Sequence, residues 1–391
     1  MPATGQARLA AAPGRPSGGG AWWARSLEVA DLRPWRRARI ELPQGLVVVS
    51  GPNGAGKTSL VEAIVLGTLG VSPRTARESE AVRRGAQALR VALELEGPDG
   101  PSLREIGVQA GLGRRLRVDG QAVRALAAWR VHGAVLVFLP EELRSVKGPP
   151  AARRRVVDRL VEAVADEGAE ALAGYTAALA QRNALLRRIR AGLTGTAGLP
   201  PWDARVAELG AAVVLARRAA VGAIAPRFCA WLEALGGGPG GDVALEPSPS
   251  DLAQVADGEV HAALAASLAT GRERDLGAAQ TLAGPHRDDV WIGAEDGLDL
   301  RRMGSQGEQR TAVLALLLAC RDHLAERAAA PILLLDDVLS ELDPGRRRAL
   351  LDALAGGGQT LVTSADPDAA ALAAASGAAL HLRVKGGELA A

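Results

Sequence analysis

Residues 46–58 read LVVVSGPNGAGKT, and this stretch decides the fold. The β-branched run over residues 46–50 predicts a buried strand, and the pattern over residues 59–69 predicts a helix. Between them, residues 51–58 match the phosphate-loop pattern G-x-x-x-x-G-K-[ST] in the strand–loop–helix context that the motif requires. Glycines let backbone N–H groups close around phosphate oxygens, and the helix directs its positive end at the same anion. The sequence therefore predicts that this loop binds a nucleotide.

Two side chains of the loop carry the predicted chemistry. Lys57 can reach the β- and γ-phosphates, and the hydroxyl of Thr58 can hold Mg²⁺. A glycine-rich turn that matches the pattern by chance is the alternative, and the flanking strand and helix argue against it. The predicted nucleotide-binding residues are Gly51, Pro52, Asn53, Gly54, Ala55, Gly56, Lys57, Thr58 and Ser59.

A second apolar run, residues 331–335, ends in the carboxylates of Asp336 and Asp337. At the carboxyl end of a parallel strand, such side chains face the ligand crevice. We expect Asp336 to join the Mg²⁺ shell, usually through water, and Asp337 to position or deprotonate the attacking water. Alone, the pattern also fits a solvated strand-to-loop junction. The predicted catalytic set is Lys57, Asp336 and Asp337, and the predicted metal ligands are Thr58 and Asp336.

Residues 303–310 read MGSQGEQR and open the most apolar helical stretch of the chain. Ser305 and Glu308 have the S-x-x-E spacing of a helix capping box. The same helix start, with a hydroxyl and a glycine, can bind a γ-phosphate. Both interpretations remain open from the residues alone.

Composition excludes several classes of protein. The chain has 391 residues, of which 48% are hydrophobic and 23% charged, which is ordinary for a globular protein. The net charge of +2 excludes a uniformly basic nucleic-acid binder, so any such contact needs a local patch. Cys229 and Cys320 form no CxxC motif, which excludes a disulfide scaffold and is typical of a reducing cytosol. The uncharged apolar run at residues 311–320 is about half a membrane span, so we expect no membrane contact.

The predicted organisation is α/β at both ends with a helical insertion. Strands are predicted at residues 46–50, 90–96, 134–139, 290–292, 332–335 and 359–364. Helical spacing covers residues 151–190 and 204–235, and Pro226 is expected to kink or break the second stretch. We expect a disordered tail at residues 1–21, a head formed by residues 22–149 and 273–391, and a helical arm or lid at residues 150–272.

The order of these motifs resembles an ABC-type P-loop ATPase head. The S-x-G-x-x-R signature at Ser305 follows the phosphate loop by about 250 residues, as in SMC-like DNA repair ATPases with an inserted arm. More specifically, residues 26–363 resemble the RecF family of bacterial recombinational repair proteins. Further segments that carry the resemblance are residues 137–143, 147–149, 153–155, 181–183, 185–186, 284–289, 305–310, 334–337 and 340–343.

The resemblance implies an activity and partners. ATP and Mg²⁺ would bring two copies together, with each nucleotide between the phosphate loop of one copy and the signature of the other. The implied signature residues in trans are Ser305, Gln306, Gly307 and Arg310, and the implied D-loop residues are Ser340 and Asp343. The dimer would bind double-stranded DNA near single-strand gaps and, with RecR and RecO, help to load recombinase. Weak DNA-stimulated hydrolysis would reset it, and a cytoplasmic, nucleoid-associated location is expected.

Two positions depart from related patterns. Transporter-type heads usually have Glu where this chain has Asp337, which is one methylene shorter, so we expect slow hydrolysis. Glu308 stands where the family more often has Gln, and we assign it to capping because a second negative charge would repel a phosphate.

The remaining arginines offer candidates for DNA contact. Clusters at residues 33–39 and 114–117 are read as solvated faces. Combined with the resemblance, two other clusters are predicted to contact DNA phosphates: Arg153, Arg154, Arg155, Arg182, Arg187 and Arg188. Two alternative functions stay open, the ATPase subunit of a membrane transporter and a non-hydrolysing ATP-dependent DNA clamp.

Overall fold

The computed structural model describes residues 20–139, 144–164, 166–294, 297–339, 342–354, 356–366 and 368–390. The predicted tail at residues 1–21 lies almost wholly outside this part of the chain. The chain divides into two compact units. Unit 1 comprises Met1–Glu141, Ala234–Gly236 and Arg321–Ala391, and unit 2 comprises Glu142–Glu233 and Gly237–Cys320.

Unit 1 holds two sheets. Its strands are β1 (Trp23–Leu32), β2 (Trp35–Glu41), β3 (Leu46–Ser50), β4 (Ala88–Gly97), β5 (Gly100–Gln109), β6 (Gly113–Val118), β7 (Gln121–Val123), β8 (Val135–Phe138), β12 (Ile332–Leu335), β13 (Thr360–Ser364), β14 (Leu380–Lys385) and β15 (Glu388–Ala390). Its helices are α1 (Lys57–Leu69), α2 (Leu126–Trp129), α10 (Pro344–Leu354) and α11 (Ala369–Ala375).

The first sheet has the order β15-β14-β3-β13-β12-β8 and is parallel except for β15. Strands β3, β12 and β13 are buried along their whole length. Parallel strands covered on both faces consist of continuous apolar runs, which is why the sequence predicted β3 and β12 with correct bounds. The phosphate loop therefore follows a central strand.

The second sheet is antiparallel, with the order β2-β1-β4-β5-β6-β7. Its inner face carries Leu27, Val29, Leu93 and Ile106, which join α1 in the main core of the unit. Helix α1 approaches this sheet closely, since a Cβ on Gly67 would lie 2.8 Å from the side chain of Leu93. The outer face is more polar.

Unit 2 is mainly helical. Its elements are α3 (Arg144–Lys147), α4 (Pro150–Val164), α5 (Asp166–Arg190), α6 (Leu199–Ala234), β9 (Asp242–Glu246), α7 (Val260–Thr270), α8 (Arg272–Ala278), β10 (Asp289–Ala294) and β11 (Leu298–Asp299). Helix α9 (Gln306–Arg327) begins in unit 2 and ends in residues of unit 1. The three strands form one antiparallel sheet in the order β11-β10-β9.

The observed division differs from the predicted boundaries at residues 273–320. The prediction placed them in the head, whereas they belong to unit 2. The reason is local pairing: β10 pairs with β9, and Asp289 at the start of β10 forms an ion pair with Arg153 of α4.

Helix α6 departs from expectation at Pro226, which lies inside the helix and does not end it. Ile224 and Phe228 on either side of the proline are both buried, so packing holds the two halves in line.

Residues 196–234 are also long and apolar enough to cross a membrane by length and composition alone. Arg217 of α6 is buried and forms ion pairs with Asp158 and Asp288. These contacts are those of a helix packed in the core of a folded unit.

Candidate nucleotide-binding site

The phosphate loop of unit 1 joins β3 to α1 and depends on glycine at two positions. Gly51 has a φ of +154°, and a Cβ there would lie 2.1 Å from the carbonyl oxygen of Val384. Gly56 has a φ of +113°, and a Cβ there would meet the indole of Trp35 at 2.7 Å. The loop is thus enclosed by β14 and by the β1–β2 hairpin, and only glycine permits this approach.

Lys57 begins α1 and points back over the loop. Its Nζ donates hydrogen bonds to the carbonyl oxygens of Gly51 at 2.7 Å and Pro52 at 3.1 Å. Burial lowers the pKa of Lys57, and the charges of Asp337 and Asp336 oppose that shift. The ammonium group therefore lies among backbone carbonyl groups of the phosphate loop. From there the Lys57 side chain can reach an anion bound in the loop with only a small movement.

Asp336 ends β12 beside the loop, as predicted. Its carboxylate accepts hydrogen bonds from the Thr58 hydroxyl, at 2.8 and 3.0 Å, and from the Thr363 hydroxyl at 2.6 Å. Burial is the largest cause of a raised pKa at Asp336, Asp337 raises it further, and the two hydroxyls oppose the shift. A hydroxyl and a carboxylate in contact are oxygen ligands of the kind that Mg²⁺ takes in nucleotide sites. The residues present therefore fit a Mg²⁺ ion.

Asp337 follows in a left-handed backbone conformation, with φ at +52°. Its N–H donates to the Thr363 hydroxyl at 3.0 Å, and its Oδ1 accepts from the N–H of Ala365 at 3.4 Å. Thr363 thus contacts both acidic residues. Its position on β13 gave no local signal of this role, because the contact depends on how β12 and β13 pair.

A cavity of about 420 Å³ opens at this loop. The residues that line it are Arg33, Pro34, Asn53, Gly54, Gly56, Lys57, Thr58, Ser59, Arg74, Asp336 and Asp337. The structure therefore brings the predicted catalytic set together around one space. Three lining residues, Arg33, Pro34 and Arg74, were not in the predicted site.

Glu62 of α1 holds both arginines. Its side chain is completely buried and accepts from Arg33 Nε and Nη2, each at 3.0 Å, from Arg74 Nη1 at 3.5 Å and from the Ser72 hydroxyl at 2.6 Å. Arg33 itself has a left-handed backbone, with φ at +52°. The prediction of a solvated face for Arg33 is therefore wrong, since the hairpin turn directs it into the pocket. Two arginines that share one carboxylate leave positive charge facing the cavity.

The capping box at the start of α9 is confirmed. The N–H of Ser305 donates to Glu308 Oε2 at 2.7 Å, and the N–H of Glu308 donates to the Ser305 hydroxyl at 3.3 Å. Gln306, Gly307 and Arg310 lie in the first turns of the same helix. Glu308 therefore caps the helix, as assigned, and the role of this turn in trans stays a prediction.

The predicted D-loop residues follow Asp337. Ser340 lies outside the described residues. Asp343 precedes α10 and accepts a hydrogen bond from the N–H of Arg346 at 3.0 Å, and this contact is the main reason that its pKa is lowered. Asp343 therefore occupies a helix N-cap position in the described structure.

Two of the predicted DNA-contacting arginines are buried. Arg182 is fully enclosed and forms ion pairs with Asp203 and Asp275, both at 2.7 Å. Arg153 is 2% exposed and pairs with Asp289 at 2.6 Å. The prediction that these two arginines contact DNA is wrong, because they are buried and form ion pairs with carboxylates inside the protein.

The other four candidates differ in exposure. Arg154 is half-buried and donates to the backbone oxygen of Asp288. Arg155, Arg187 and Arg188 are exposed, and a role for them in DNA binding stays a prediction.

The Gly284–Asp289 segment forms an ion-paired turn in unit 2. Asp288 is fully buried and accepts from Arg217 Nη1 at 2.9 Å. His286 Nε2 lies 3.0 Å from the carbonyl oxygen of Thr281, so it carries the proton, and Nδ1 accepts from the Tyr175 hydroxyl at 2.7 Å. Burial is the largest cause that lowers the pKa of His286, to about 4. These contacts make the segment part of the framework of unit 2.

Comparison with known proteins gives the family. A curated relative from Acidothermus cellulolyticus, "DNA replication and repair protein RecF", is 36% identical over 350 residues, which cover 88% of this chain and 94% of the relative. The chain belongs to the RecF family. The RecF of Symbiobacterium thermophilum is similar at 35% identity over 87% of this chain and 91% of that protein. Residues 26–124 also match the family model described as an AAA domain.

Solved structures agree with the RecF assignment. The chain is similar to a structure titled "Structure of the recombination mediator protein RecF-ATP in RecFOR pathway", with a TM-score of 0.84, 25% identity and coverage of 96% of this chain and 98% of that one. It also resembles the Smc head bound to the C-winged helix domain of ScpA, with a TM-score of 0.58 and 15% identity, covering 93% of this chain and 94% of that one. The predicted ABC-type head fold is confirmed, and the Smc heads share this fold. Because the relatives are DNA replication and repair proteins, the transporter-subunit alternative has no support.

Proposed function

We propose that this RecF family member is a slow ATPase that binds double-stranded DNA in its ATP-bound state during recombinational repair. One observation carries the ATPase part. Thr58 of the phosphate loop and Asp336, which lies 278 residues further along the chain, meet at 2.8 Å in the pocket that Lys57 lines. Membership of the RecF family and the similarity to the RecF–ATP structure support the proposed DNA binding and the role in recombinational repair.

The chain's own residues have distinct roles in hydrolysis. Lys57 would leave its two carbonyl partners and contact the β- and γ-phosphates, since a phosphate is the stronger acceptor. Thr58 and, through water, Asp336 would hold Mg²⁺, which supplies charge neutralisation at the phosphate oxygens when bound. Asp337 would orient the attacking water and accept its proton. Its backbone is fixed by Thr363, so a short side chain on a fixed backbone has limited reach, and we infer slow turnover.

Dimerisation is the second part of the proposal. ATP would join two copies, with Ser305, Gln306, Gly307 and Arg310 of one copy facing the nucleotide held by the other. The start of α9 suits this role, because helix N-terminal N–H groups bind anions. Ser340 and Asp343 would lie at the interface as D-loop residues.

The partners follow from the family. The relatives' names place them in DNA replication and repair, and the RecF–ATP structure is described as part of the RecFOR pathway. We infer that the chain acts with RecR and RecO at gapped DNA junctions in the cytoplasm, associated with the nucleoid. The functional ATPase head would comprise residues 22–149 and 273–391, so it would include residues 273–320 of unit 2, and residues 150–272 would act as the arm.

The decisive experiment measures ATP hydrolysis by the purified protein with and without gapped duplex DNA. Lys57→Met serves as the blank because it removes the phosphate contact and keeps the loop backbone. We expect a slow rate that DNA raises several-fold and that disappears in the blank. A rate that is indifferent to DNA, together with no ATP-dependent DNA retention, would contradict the proposal.

The non-hydrolysing clamp remains a second candidate, favoured by the short Asp337 side chain. Asp337→Asn keeps the shape and removes the proton acceptor. If Asp337 is catalytic, the variant loses at least tenfold of the rate and stays longer on DNA in the presence of ATP. Equal turnover in wild type and variant would mean that Asp337 is not catalytic. Equal DNA retention would mean that hydrolysis does not drive release, and negligible turnover in both proteins with ATP-dependent retention would support the clamp.

A further inference from the structure

The outer face of the antiparallel sheet in unit 1 carries side chains in rows that cross the strands. Directly paired residues of antiparallel strands point to the same face. The pairing register of β2, β1, β4, β5 and β6 therefore places five residues in one cross-strand row, here called the basic row: Arg37, Ala30, Arg90, Gly107 and Arg115. All three arginines of this row are exposed.

Charge changes from row to row along the strands. The basic row contains three arginines and no carboxylate. The neighbouring row is balanced and contains Arg39, Glu28, Ala92, Glu105 and Arg117. The row beyond it is acidic and contains Glu41, Ser26, Glu94 and Leu103. Positive charge is thus concentrated at one end of the face, although the whole chain is nearly neutral.

The outer arginines of the basic row are available to a ligand. Arg37 and Arg115 have no ion-pair or hydrogen-bond partner among the described residues, whereas Arg90 is shared between Glu105 at 2.5 Å and Glu28 at 3.9 Å. Ala30 and Gly107 stand between the arginines, so no large side chain covers the guanidinium groups. Strands lie about 4.8 Å apart, which separates successive arginines of the row by about 10 Å. A DNA major groove is about 12 Å wide, so neighbouring arginines can meet phosphates on its two sides.

We propose that the basic row is a docking surface for the phosphate backbone of duplex DNA. The proposal rests on the DNA-binding function proposed above and assigns that function to unit 1, in place of the buried arginines of unit 2. It predicts binding without sequence preference, because guanidinium groups that contact phosphates from the sheet surface do not reach the base edges in the grooves. The charge of DNA complements this end of the face and is repelled by the acidic row, which sets the side on which the duplex lies.

The basic row is also close in sequence to residues that line the nucleotide pocket. Arg37 is two residues from Trp35, whose buried indole N–H donates to the carbonyl oxygen of Gly56 at 3.0 Å. The same hairpin places Arg33 and Pro34 in the lining of the pocket. DNA held at Arg37 would therefore act on the segment that supports the phosphate loop, which offers a direct path for DNA to change the ATPase rate.

The test is the salt dependence of DNA binding by the full-length protein with ATP, measured by fluorescence anisotropy on a labelled duplex of fixed length. The double variant Arg37→Gln/Arg115→Gln removes two phosphate contacts and keeps long polar side chains. We expect at least tenfold weaker binding and a salt-dependence slope that falls by about 2, one for each arginine. ATP binding without DNA should be unchanged, which shows that the variant is folded.

Arg205→Gln/Arg274→Gln is the matched control, because both residues are exposed arginines of unit 2, on α6 and α8, and lie outside this face. We expect it to bind DNA like the wild type. Wild-type affinity in the Arg37/Arg115 variant, or an equal loss in the control, would overturn the docking surface and leave the proposed function intact. Absence of ATP-dependent DNA binding by the wild type would instead overturn the proposed function and the docking surface with it.

Discussion

In unit 1, Arg33 and Arg74 share the single buried carboxylate of Glu62 and still line an open cavity. In unit 2, Arg182 is enclosed by the carboxylates of Asp203 and Asp275, and none of its side chain is exposed. The two regions contain the same kinds of charged group and differ in where the arginines point. In unit 1, two arginines share one carboxylate beside an open cavity, so N–H donors remain for an anion. In unit 2, Arg182 is enclosed between two carboxylates, and its charge serves the fold. The role of an arginine therefore depends on the partners that the fold brings to it.

The largest expected effect concerns the buried arginine. Arg182→Met should lower the free energy of unfolding by about 3–5 kcal/mol, because Asp203 and Asp275 would stay buried with less compensation. Urea unfolding followed by circular dichroism measures this. Arg187→Met on the same helix is the control, and as an exposed residue it should change stability by less than about 0.5 kcal/mol. If both substitutions changed the free energy of unfolding equally, the distinction between buried structural arginines and exposed arginines would be contradicted.

A second effect should appear as a pH dependence of stability. His286 is held neutral, with its pKa lowered to about 4, whereas an unfolded histidine titrates near about 6.5. Between these values the unfolded state binds the extra proton, so this contribution is complete above about pH 6.5 and is lost as the pH falls toward 4. The wild type should lose about 2 kcal/mol more than His286→Gln between about pH 7 and pH 5. Parallel stability curves for the two proteins would show that His286 is not held neutral.

The smallest of these effects concerns the pocket. Glu62→Gln keeps the shape of the side chain and weakens its hold on Arg33 and Arg74, so ATP should bind about tenfold more weakly, equivalent to about 1.4 kcal/mol. Titration with a fluorescent ATP analogue measures the affinity. Glu80→Gln, an exposed residue nearby, should leave it unchanged. A lower melting temperature with unchanged affinity would make Glu62 a packing residue only.

Sequence patterns predicted the parallel sheet better than the antiparallel one. The bounds of β12 were predicted residue for residue, because it is buried on both faces and consists of an unbroken apolar run. Strands β1 and β2 were missed, although Leu27, Val29 and Ile40 alternate with polar residues as expected of half-buried strands. The signal was present there and was obscured by the surrounding arginines.

The site divides in the same way. Lys57, Thr58 and Asp336 could be predicted, because a local motif fixes the chemistry of each one. Arg33 and Thr363 could not, because their roles arise from contacts between segments that are distant in the chain. The burial of Arg182 had no local signal either, since its partners Asp203 and Asp275 come from two other helices.

The position of β3 between β13 and β14 bears on the biosynthesis of the protein. The strand that carries the phosphate loop is completed near residue 50, and its two neighbours in the sheet leave the ribosome more than 300 residues later. At about 5–20 residues per second, translation takes about 15–60 s to cover that interval. During this time the nascent chain has its phosphate loop without Asp336 or Thr363, so it cannot form the complete nucleotide site. The complete nucleotide site therefore forms only when synthesis is nearly finished, and the residues of unit 2 are made before β13 and β14 can pair with β3.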